Sequence, residues 1–246
     1  GDWKVRKVFT LAADYQLQTQ VTVSNSSTNS LSEADFYLLT GTAIEPLNTS
    51  QMMGLNFGTM WFDGDEETKV DQGWFDNKYF GCMCLPEDGD RRNNYTAGQG
   101  NVEWLGAYSR FFLQAVIPAE PGSAVNVHEF RLNPLSDTEA LAAGTKVKNN
   151  QMAWETAMAI KVPSLAPGTE KTFSYTLYTG PREYDRLKAI GAENGGNQFH
   201  LLMDFGKWFG WVAEGLLRLM KWMEPHLGFL KSLKVSSWAL SIIVIT

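Results

Sequence analysis

Alternation with a period of two governs the first 180 residues. In "KVFTLAADYQLQTQVTVSNSS", Leu17, Val21 and Val23 are separated by polar residues, and the run ends in the turn-forming residues 24–29. Alternate residues on a strand point to the same face, so this pattern predicts half-buried strands. Similar runs recur at "ADFYLLTGTAI", "YSRFFLQAVIP", "MAWETAMAIKVPSL" and "KTFSYTLYTGP", with turn residues between them. The sequence therefore predicts an antiparallel all-β sandwich or barrel.

The segment from residue 199 to residue 226 has a different period. Its polar residues recur every three or four positions, which is typical of an amphipathic helix. The broad apolar surface of this helix consists of Phe205, Trp208, Phe209, Trp211, Leu216, Leu217, Leu219, Met220 and Trp222. A narrow polar stripe beside so much aromatic surface favours a helix lying in a membrane interface. The alternative is a buried helix of a soluble domain.

The last residues, "SSWALSIIVIT", form an apolar run that includes Trp238, Ile242 and Ile243 and ends at Thr246. This run is shorter than the roughly 20 apolar residues that cross a bilayer. We interpret it as the start of a transmembrane helix and expect the chain to be a fragment of a longer protein. The expected organisation is a β domain (1–180), a closing segment and hinge (181–198), an interfacial helix (199–226), and a link with the start of the transmembrane helix (227–246).

Charge is distributed unevenly along the chain. The net charge of −6 argues against a nucleic-acid partner, because phosphate binding needs a basic face. Residues 181–246 carry eight basic and six acidic side chains, whereas the first 180 residues are strongly acidic. Basic and tryptophan-rich segments are typical of sequences close to a membrane.

Signatures of catalysis are missing from the sequence. Neither a nucleophile elbow nor a phosphate-binding glycine loop is present, and His128 is the one histidine in the β region. Cys82 and Cys84 are interpreted as small apolar residues, since further metal ligands are not evident nearby. We therefore expect no catalytic residue, no metal and no cofactor, and we do not expect an enzyme.

One pairing is suggested by an internal similarity. "KYFGCMCLP" and "RFFLQAVIP" both start with a basic residue and two aromatic residues and end in proline. The polar, glycine-rich residues 88–101 lie between them. We expect a long hairpin of these two strands joined by an exposed loop.

Several motifs, in order, closely resemble the bacterial YidC membrane insertase family. They are "YTGPREYDRLKAIG" with Gly180 and Pro181, "LLMDFGKWFGWVAEGLLRLMKWM" with Asp204, Gly206 and Lys221, and "SWALSIIVIT". The resemblance implies a periplasmic antiparallel β-supersandwich, similar to galactose mutarotases, followed by an interfacial helix and a transmembrane helix. It also implies that the arginine of the membrane groove would lie near position 250, which the chain does not reach.

The same resemblance implies a function and a location. The family assists the insertion and folding of inner-membrane proteins, and this fragment would be its periplasmic scaffold and partner-docking domain. Residues 1–226 would lie on the periplasmic side of the bacterial inner membrane. Expected partners are membrane lipids, nascent membrane proteins, and the Sec translocon with its SecDF subunits.

A second hypothesis comes from the implied fold. A sugar-binding or carbohydrate-active β-sandwich, attached to a membrane anchor, would use exposed aromatic rings such as Trp61, Trp74 or Trp104. Mutarotase chemistry needs a general acid and a general base, which His128 alone does not supply. Buried structural tryptophans are the competing interpretation.

Overall fold

The computed structural model describes residues 2–44, 57–80, 86–88, 90–132 and 151–205, together with residues 212, 215, 216, 218 and 219. The chain divides into two compact units, Gly1–Leu202 and Met203–Thr246. The first, called the β unit below, consists mainly of antiparallel strands, so the predicted β-supersandwich class is confirmed.

Strands pair into two main sheets and one short hairpin. The seven-stranded sheet has the order β1-β2-β13-β10-β9-β4-β5, the four-stranded sheet has the order β3-β12-β11-β8, and β6 pairs with β7. The strands are β1 (Trp3–Leu11), β2 (Gln16–Asn25), β3 (Ala34–Ile44), β4 (Gly58–Phe62), β5 (Glu67–Val70), β6 (Lys78–Phe80), β7 (Pro86–Asp88), β8 (Asn94–Ala97), β9 (Trp104–Tyr108), β10 (Phe112–Pro118), β11 (Ala124–Leu132), β12 (Gln151–Val162) and β13 (Glu170–Pro181). The helices are α1 (Gln72–Asp76), α2 (Tyr184–Glu193) and a 3₁₀ helix (Phe199–Met203).

The two sheets pack face to face around an aromatic core. Phe57 and Trp154 have ring centroids 5.0 Å apart. The hydroxyl oxygens of Thr59 in the large sheet and Thr156 in the small sheet are 2.5 Å apart, so these buried polar groups satisfy each other. Hydrophobic burial on the inner faces of both sheets, with paired hydroxyls at the centre, fixes how the layers stack.

The other face of the large sheet is covered by the residues that follow β13. The ring of Phe199 packs edge-to-face against Trp104 and Tyr178. Trp104 Nε1 also donates a hydrogen bond of 2.7 Å to the Asn197 carbonyl. The segment expected to be a closing segment and hinge (181–198) therefore contains α2, and the β unit extends to Leu202 rather than ending at residue 180.

The described residues at the start of the expected amphipathic helix (199–226) form a short 3₁₀ helix, Phe199–Met203. Phe199 and Leu202 are fully buried in the β unit and belong to a separate 3₁₀ helix. Asp204 has a φ of 51°, a left-handed conformation that cannot continue a right-handed helix. Burial of Phe199 and Leu202 thus keeps the first residues of the expected 199–226 segment within the β unit.

The expected long hairpin is also wrong. β6 pairs with β7, whereas β10 pairs with β9 and β13. Residues 88–101 are not simply an exposed loop, since β8 pairs with β11.

Arg91, in that segment, makes two hydrogen bonds to Glu129, with Nε–Oε2 at 3.0 Å and Nη2–Oε1 at 2.7 Å, and pairs with Asp76. The pKa of Arg91 is raised, above all by the hydrogen bond to Glu129. The Glu129 side chain is only 3% exposed, so the arginine supplies the opposite charge that its burial requires.

The part of the chain that the structure describes contains no helix long and apolar enough to cross a membrane. The link and expected transmembrane start (227–246), with Trp238, Ile242, Ile243 and Thr246, lie outside the described residues, as do Cys82 and Cys84.

Candidate functional site

One end of the large sheet brings three chain segments together. Strand register places Leu11 opposite Leu17 at the β1–β2 turn. It also places Pro181, the last residue of β13, opposite Phe112, the first residue of β10. Residues 11–15, 109–112 and 179–182 therefore meet at this end, which we call the β9–β10 end.

Large apolar side chains are exposed at the β9–β10 end. Leu11, Tyr15, Phe111 and Phe112 have between 52% and 81% of their surface accessible. Single exposed apolar residues are common, but a group of four from two neighbouring chain segments is typical of a surface that contacts another molecule.

A groove of about 720 Å³ opens beside these side chains. Its walls come from β3, β9, β10 and the end of β13, and its lining includes Tyr15, Thr42, Ala43, Ile44, Ala107, Tyr108, Phe112, Leu113, Gln114, Thr179 and Pro181. β3 approaches β10 closely here, since a Cβ on Gly41 would lie 2.5 Å from Gln114 Oε1. The groove is mostly apolar, with a few amide and hydroxyl groups that could orient a bound segment.

Gly180 and Pro181, two of the residues singled out by the sequence motif, lie at this end. A Cβ on Gly180 would lie 2.8 Å from both Tyr15 Cβ and Tyr178 Oη, so only glycine lets the β1–β2 turn pack against β13. Tyr178 Oη donates a hydrogen bond of 2.6 Å to the Pro181 carbonyl. Burial raises the pKa of Tyr178 to about 12, and the phenol therefore stays protonated as a donor.

Arg182 links the end of β13 to the β9–β10 turn and to Leu202, and the sequence patterns did not indicate it. Its Nε and Nη2 donate to the Leu202 carbonyl at 3.0 and 2.7 Å, and its Nη1 donates to the Ser109 carbonyl at 3.0 Å. The guanidinium lies 4.7 Å from the ring centroid of Tyr108. The only signal in the sequence was its position directly after the Gly-Pro pair.

The β1–β2 turn is held in an unusual conformation. Asp14 and Tyr15 both have positive φ, 55° and 62°, which non-glycine residues seldom adopt. Two such residues in succession are typical of a type I′ hairpin turn. Arg186 pairs with Asp14 and lies 5.0 Å from the ring centroid of Tyr15, and these contacts fix that side chain at the surface.

Residues considered for sugar binding or catalysis lie elsewhere. Trp61 and Trp104 are buried, as expected for structural tryptophans, and the ring of Trp74 is covered by the guanidinium of Arg92 at 4.7 Å. His128 is exposed on β11, with Nδ1 at 2.7 Å from Asn94 Oδ1. The buried rings of Trp61 and Trp104 cannot stack on a sugar, so the carbohydrate hypothesis loses two of its three aromatic candidates.

The structure describes the predicted membrane helix at only a few positions. Trp208, Phe209, Trp211, Leu217, Met220 and Trp222, with the motif residues Gly206 and Lys221, lie outside the described residues. Leu216 and Leu219 are helical and exposed, whereas Asp204 and Phe205 are half-buried and not helical. The helix after residue 205 stays a prediction.

Comparison with known proteins gives the following matches. The profile of the YidC periplasmic domain family matches residues 1–219. A membrane protein insertase YidC from Anaeromyxobacter dehalogenans (strain 2CP-C) is 31% identical over 60% of this chain and 21% of its own length. The corresponding protein from Geobacter metallireducens is 25% identical over 98% of this chain and 36% of its own length.

Among solved structures, an aldose 1-epimerase-like protein of Escherichia coli K12 matches 73% of this chain and 60% of its own, with 14% identity and a TM-score of 0.34. In the first of the insertase relatives, the matched region spans about a fifth of the full length. Because the family profile covers nearly the whole sequence, this chain belongs to the family of YidC periplasmic domains.

Proposed function

We propose that this chain is the periplasmic part of a bacterial inner-membrane protein insertase, with residues 1–226 on the periplasmic side. The β unit would be a non-enzymatic scaffold and docking domain. The observation that carries the proposal is the family match over residues 1–219, which includes the entire β unit. We assign the insertion step to other parts of such a protein, including the groove arginine that the family pattern puts after residue 246.

The residues after Asp204 would hold the chain at the membrane. Exposure of the helical residues Leu216 and Leu219 supports an apolar helix surface available for lipid. Fully burying a side chain of this size stabilises association by roughly 1.5–3 kcal/mol. A helix lying in the interface would then lead into a span formed by the residues from 227 onward.

The groove at the β9–β10 end would receive partner proteins. Its apolar walls suit an extended, hydrophobic segment, and Gln114 and Thr42 offer polar groups to the backbone of that segment. The candidate partners are nascent membrane proteins and the Sec translocon with its SecDF subunits.

The membrane part of the proposal is tested by flotation with vesicles of phosphatidylethanolamine and phosphatidylglycerol. We expect the chain to float with the vesicles, and a variant with Trp208, Trp211 and Trp222 all replaced by serine to float much less. Circular dichroism checks that the β unit of the variant remains folded. Equal flotation of both proteins would contradict an interfacial helix.

The docking part is tested by filling the groove. Thr42 is exposed and lines the groove, so Thr42→Trp should occupy part of its volume without disturbing the core. We expect this variant to bind a fluorescent peptide, copied from an apolar span of an inner-membrane protein, about tenfold more weakly, because the tryptophan takes the place of the peptide's apolar contacts. Thr10→Trp, at an exposed position on β1, is the control. Unchanged binding by Thr42→Trp would exclude the groove.

A further inference from the structure

The two ends of the large sheet differ strongly in polarity. The β9–β10 end exposes Leu11, Tyr15, Phe111 and Phe112. The opposite end consists of the turns at residues 26–29, 63–66, 119–122 and 166–169. Acidic side chains concentrate there, namely Asp63, Asp65, Glu66, Glu67, Glu120 and Glu170.

The apolar residues are carried by a rigid framework. Tyr15 is fixed by the left-handed turn, by its contact with Gly180 and by Arg186 above its ring. The β9–β10 turn is fixed by the hydrogen bond from Arg182 to the Ser109 carbonyl. Aromatic side chains that are already held in place lose little conformational entropy when they are buried in a lipid surface or in a binding partner.

The chain leaves the β unit at this same end. Leu202, the last residue of the unit, accepts two hydrogen bonds from Arg182, which also holds Ser109. Arg110 adds an exposed cation with its guanidinium 5.3 Å from the ring centroid of Phe111.

We propose that the β9–β10 end of the β unit itself rests on the surface of a bilayer that contains anionic lipids. Leu11, Tyr15, Phe111 and Phe112 lie among the headgroups, where aromatic and basic residues are favoured. The acidic end points away, because a negatively charged membrane surface repels it. This contact is additional to the helix after Asp204, and it rests on the proposed location at a membrane.

A membrane fits the observations better than a protein partner at the tips of the turns. The exposed side chains come from two segments, residues 11–15 and 109–112; Tyr15 and Phe112 also line the groove, whereas Leu11 and Phe111 lie outside its lining. Because one end is apolar and the opposite end is acidic, the β unit has one favoured orientation at a negatively charged membrane surface.

The test is a fluorophore that reports immersion in lipid, attached to the full chain bound to phosphatidylethanolamine–phosphatidylglycerol vesicles. After Cys82 and Cys84 are replaced by serine, the label is attached through Phe111→Cys or, as control, through Asp65→Cys at the acidic end. We expect a blue shift and quenching by nitroxide-labelled lipids at position 111 and neither at position 65. If the protein floats with vesicles but the label at position 111 shows no more blue shift or quenching than the label at position 65, this inference alone is overturned. Failure to float at all would overturn the proposed function as well.

A second measurement uses the side chains themselves. Replacing Leu11, Phe111 and Phe112 by serine should weaken association with these vesicles at least about tenfold, since large apolar contacts are lost. The matched control replaces Tyr37 and Leu39, which are similarly exposed on β3. An equal effect in both variants, or none in either, would contradict a specific contact through the β9–β10 end.

Discussion

Arg182 offers the strongest test of how the β9–β10 end is built. In Arg182→Ala, the carbonyls of Leu202 and Ser109 lose three charged hydrogen bonds, two of which share one acceptor. A hydrogen bond to a charged group contributes about 1.5–3 kcal/mol, and the stacking on Tyr108 adds about 0.5–1 kcal/mol. Allowing for partial exposure of the arginine, we expect the free energy of unfolding to fall by about 2–4 kcal/mol.

Urea denaturation followed by circular dichroism measures this change, and hydrogen exchange locates it. Amides of residues 199–203 should lose protection first, because the Leu202 carbonyl loses its donors. Arg182→Lys should be intermediate, since an ammonium keeps the charge but not the fork of donors. Arg110→Ala is the control and should change stability by less than about 0.5 kcal/mol, as exposed surface changes generally do. An Arg182→Ala variant as stable as that control would refute the reasoning.

Three further variants test other parts of the β unit by the same urea denaturation. Gly180→Ala should lower the free energy of unfolding by about 1–3 kcal/mol, because the added methyl group overpacks against Tyr15 and Tyr178. Gly215→Ala is the control and should not lower it, since the space around its Cβ is open. Equal effects of the two substitutions would refute the steric argument. Replacing Arg91 by alanine should lower the free energy of unfolding, because the buried carboxylate of Glu129 loses its partner, and adding Glu129→Gln should restore much of that loss. A double-mutant cycle with a coupling energy below about 0.5 kcal/mol would contradict a stabilising Arg91–Glu129 pair. The free energy of unfolding should fall as pH rises from 10.0 toward about 12, because the raised pKa of Tyr178 in the folded protein means that the unfolded chain releases this proton first. Tyr178→Phe should make this fall with pH less steep, and an unchanged pH dependence would count against a buried phenol.

The β architecture was accessible from the sequence because burial on one face leaves a period of two. The strands β2, β3, β12 and β13 all follow this pattern, and each has an antiparallel partner, with one register shift between Thr156 and Ala157 where β12 pairs with β3. Pairing was not accessible in the same way. The segments that contain β6 and β10 begin with similar residues, but which strand lies beside each of them depends on contacts far away in the sequence.

The helices were missed for a different physical reason. α1 is only five residues long and is capped by the preceding Asp71, whose side chain accepts hydrogen bonds from the backbone N–H groups of Gly73 and Trp74. Such a short helix gives no periodic signal. The buried positions of α2, such as Leu187 and Ile190, do follow a helical spacing, but too few of them stand out from the polar residues between them.

The candidate site was predicted only in part. Gly180 and Pro181 were found through the motif, and the structure adds the reason for the glycine, which is its close approach to Tyr15. Arg182, Tyr15 and Phe111 were not found, because their role comes from three segments that meet only in the folded sheet. Exposure of an apolar side chain likewise cannot be read from a strand pattern that treats each apolar residue as buried.

Hydrogen exchange of the full chain with and without phosphatidylethanolamine–phosphatidylglycerol vesicles tests the central claim most directly. If the domain rests on a membrane through its β9–β10 end, amides of residues 11–15 and 109–112 should gain protection when vesicles are present. Amides of residues 63–67, at the acidic end, should not change. Equal protection at both ends, or protection confined to residues 63–67, would contradict the account.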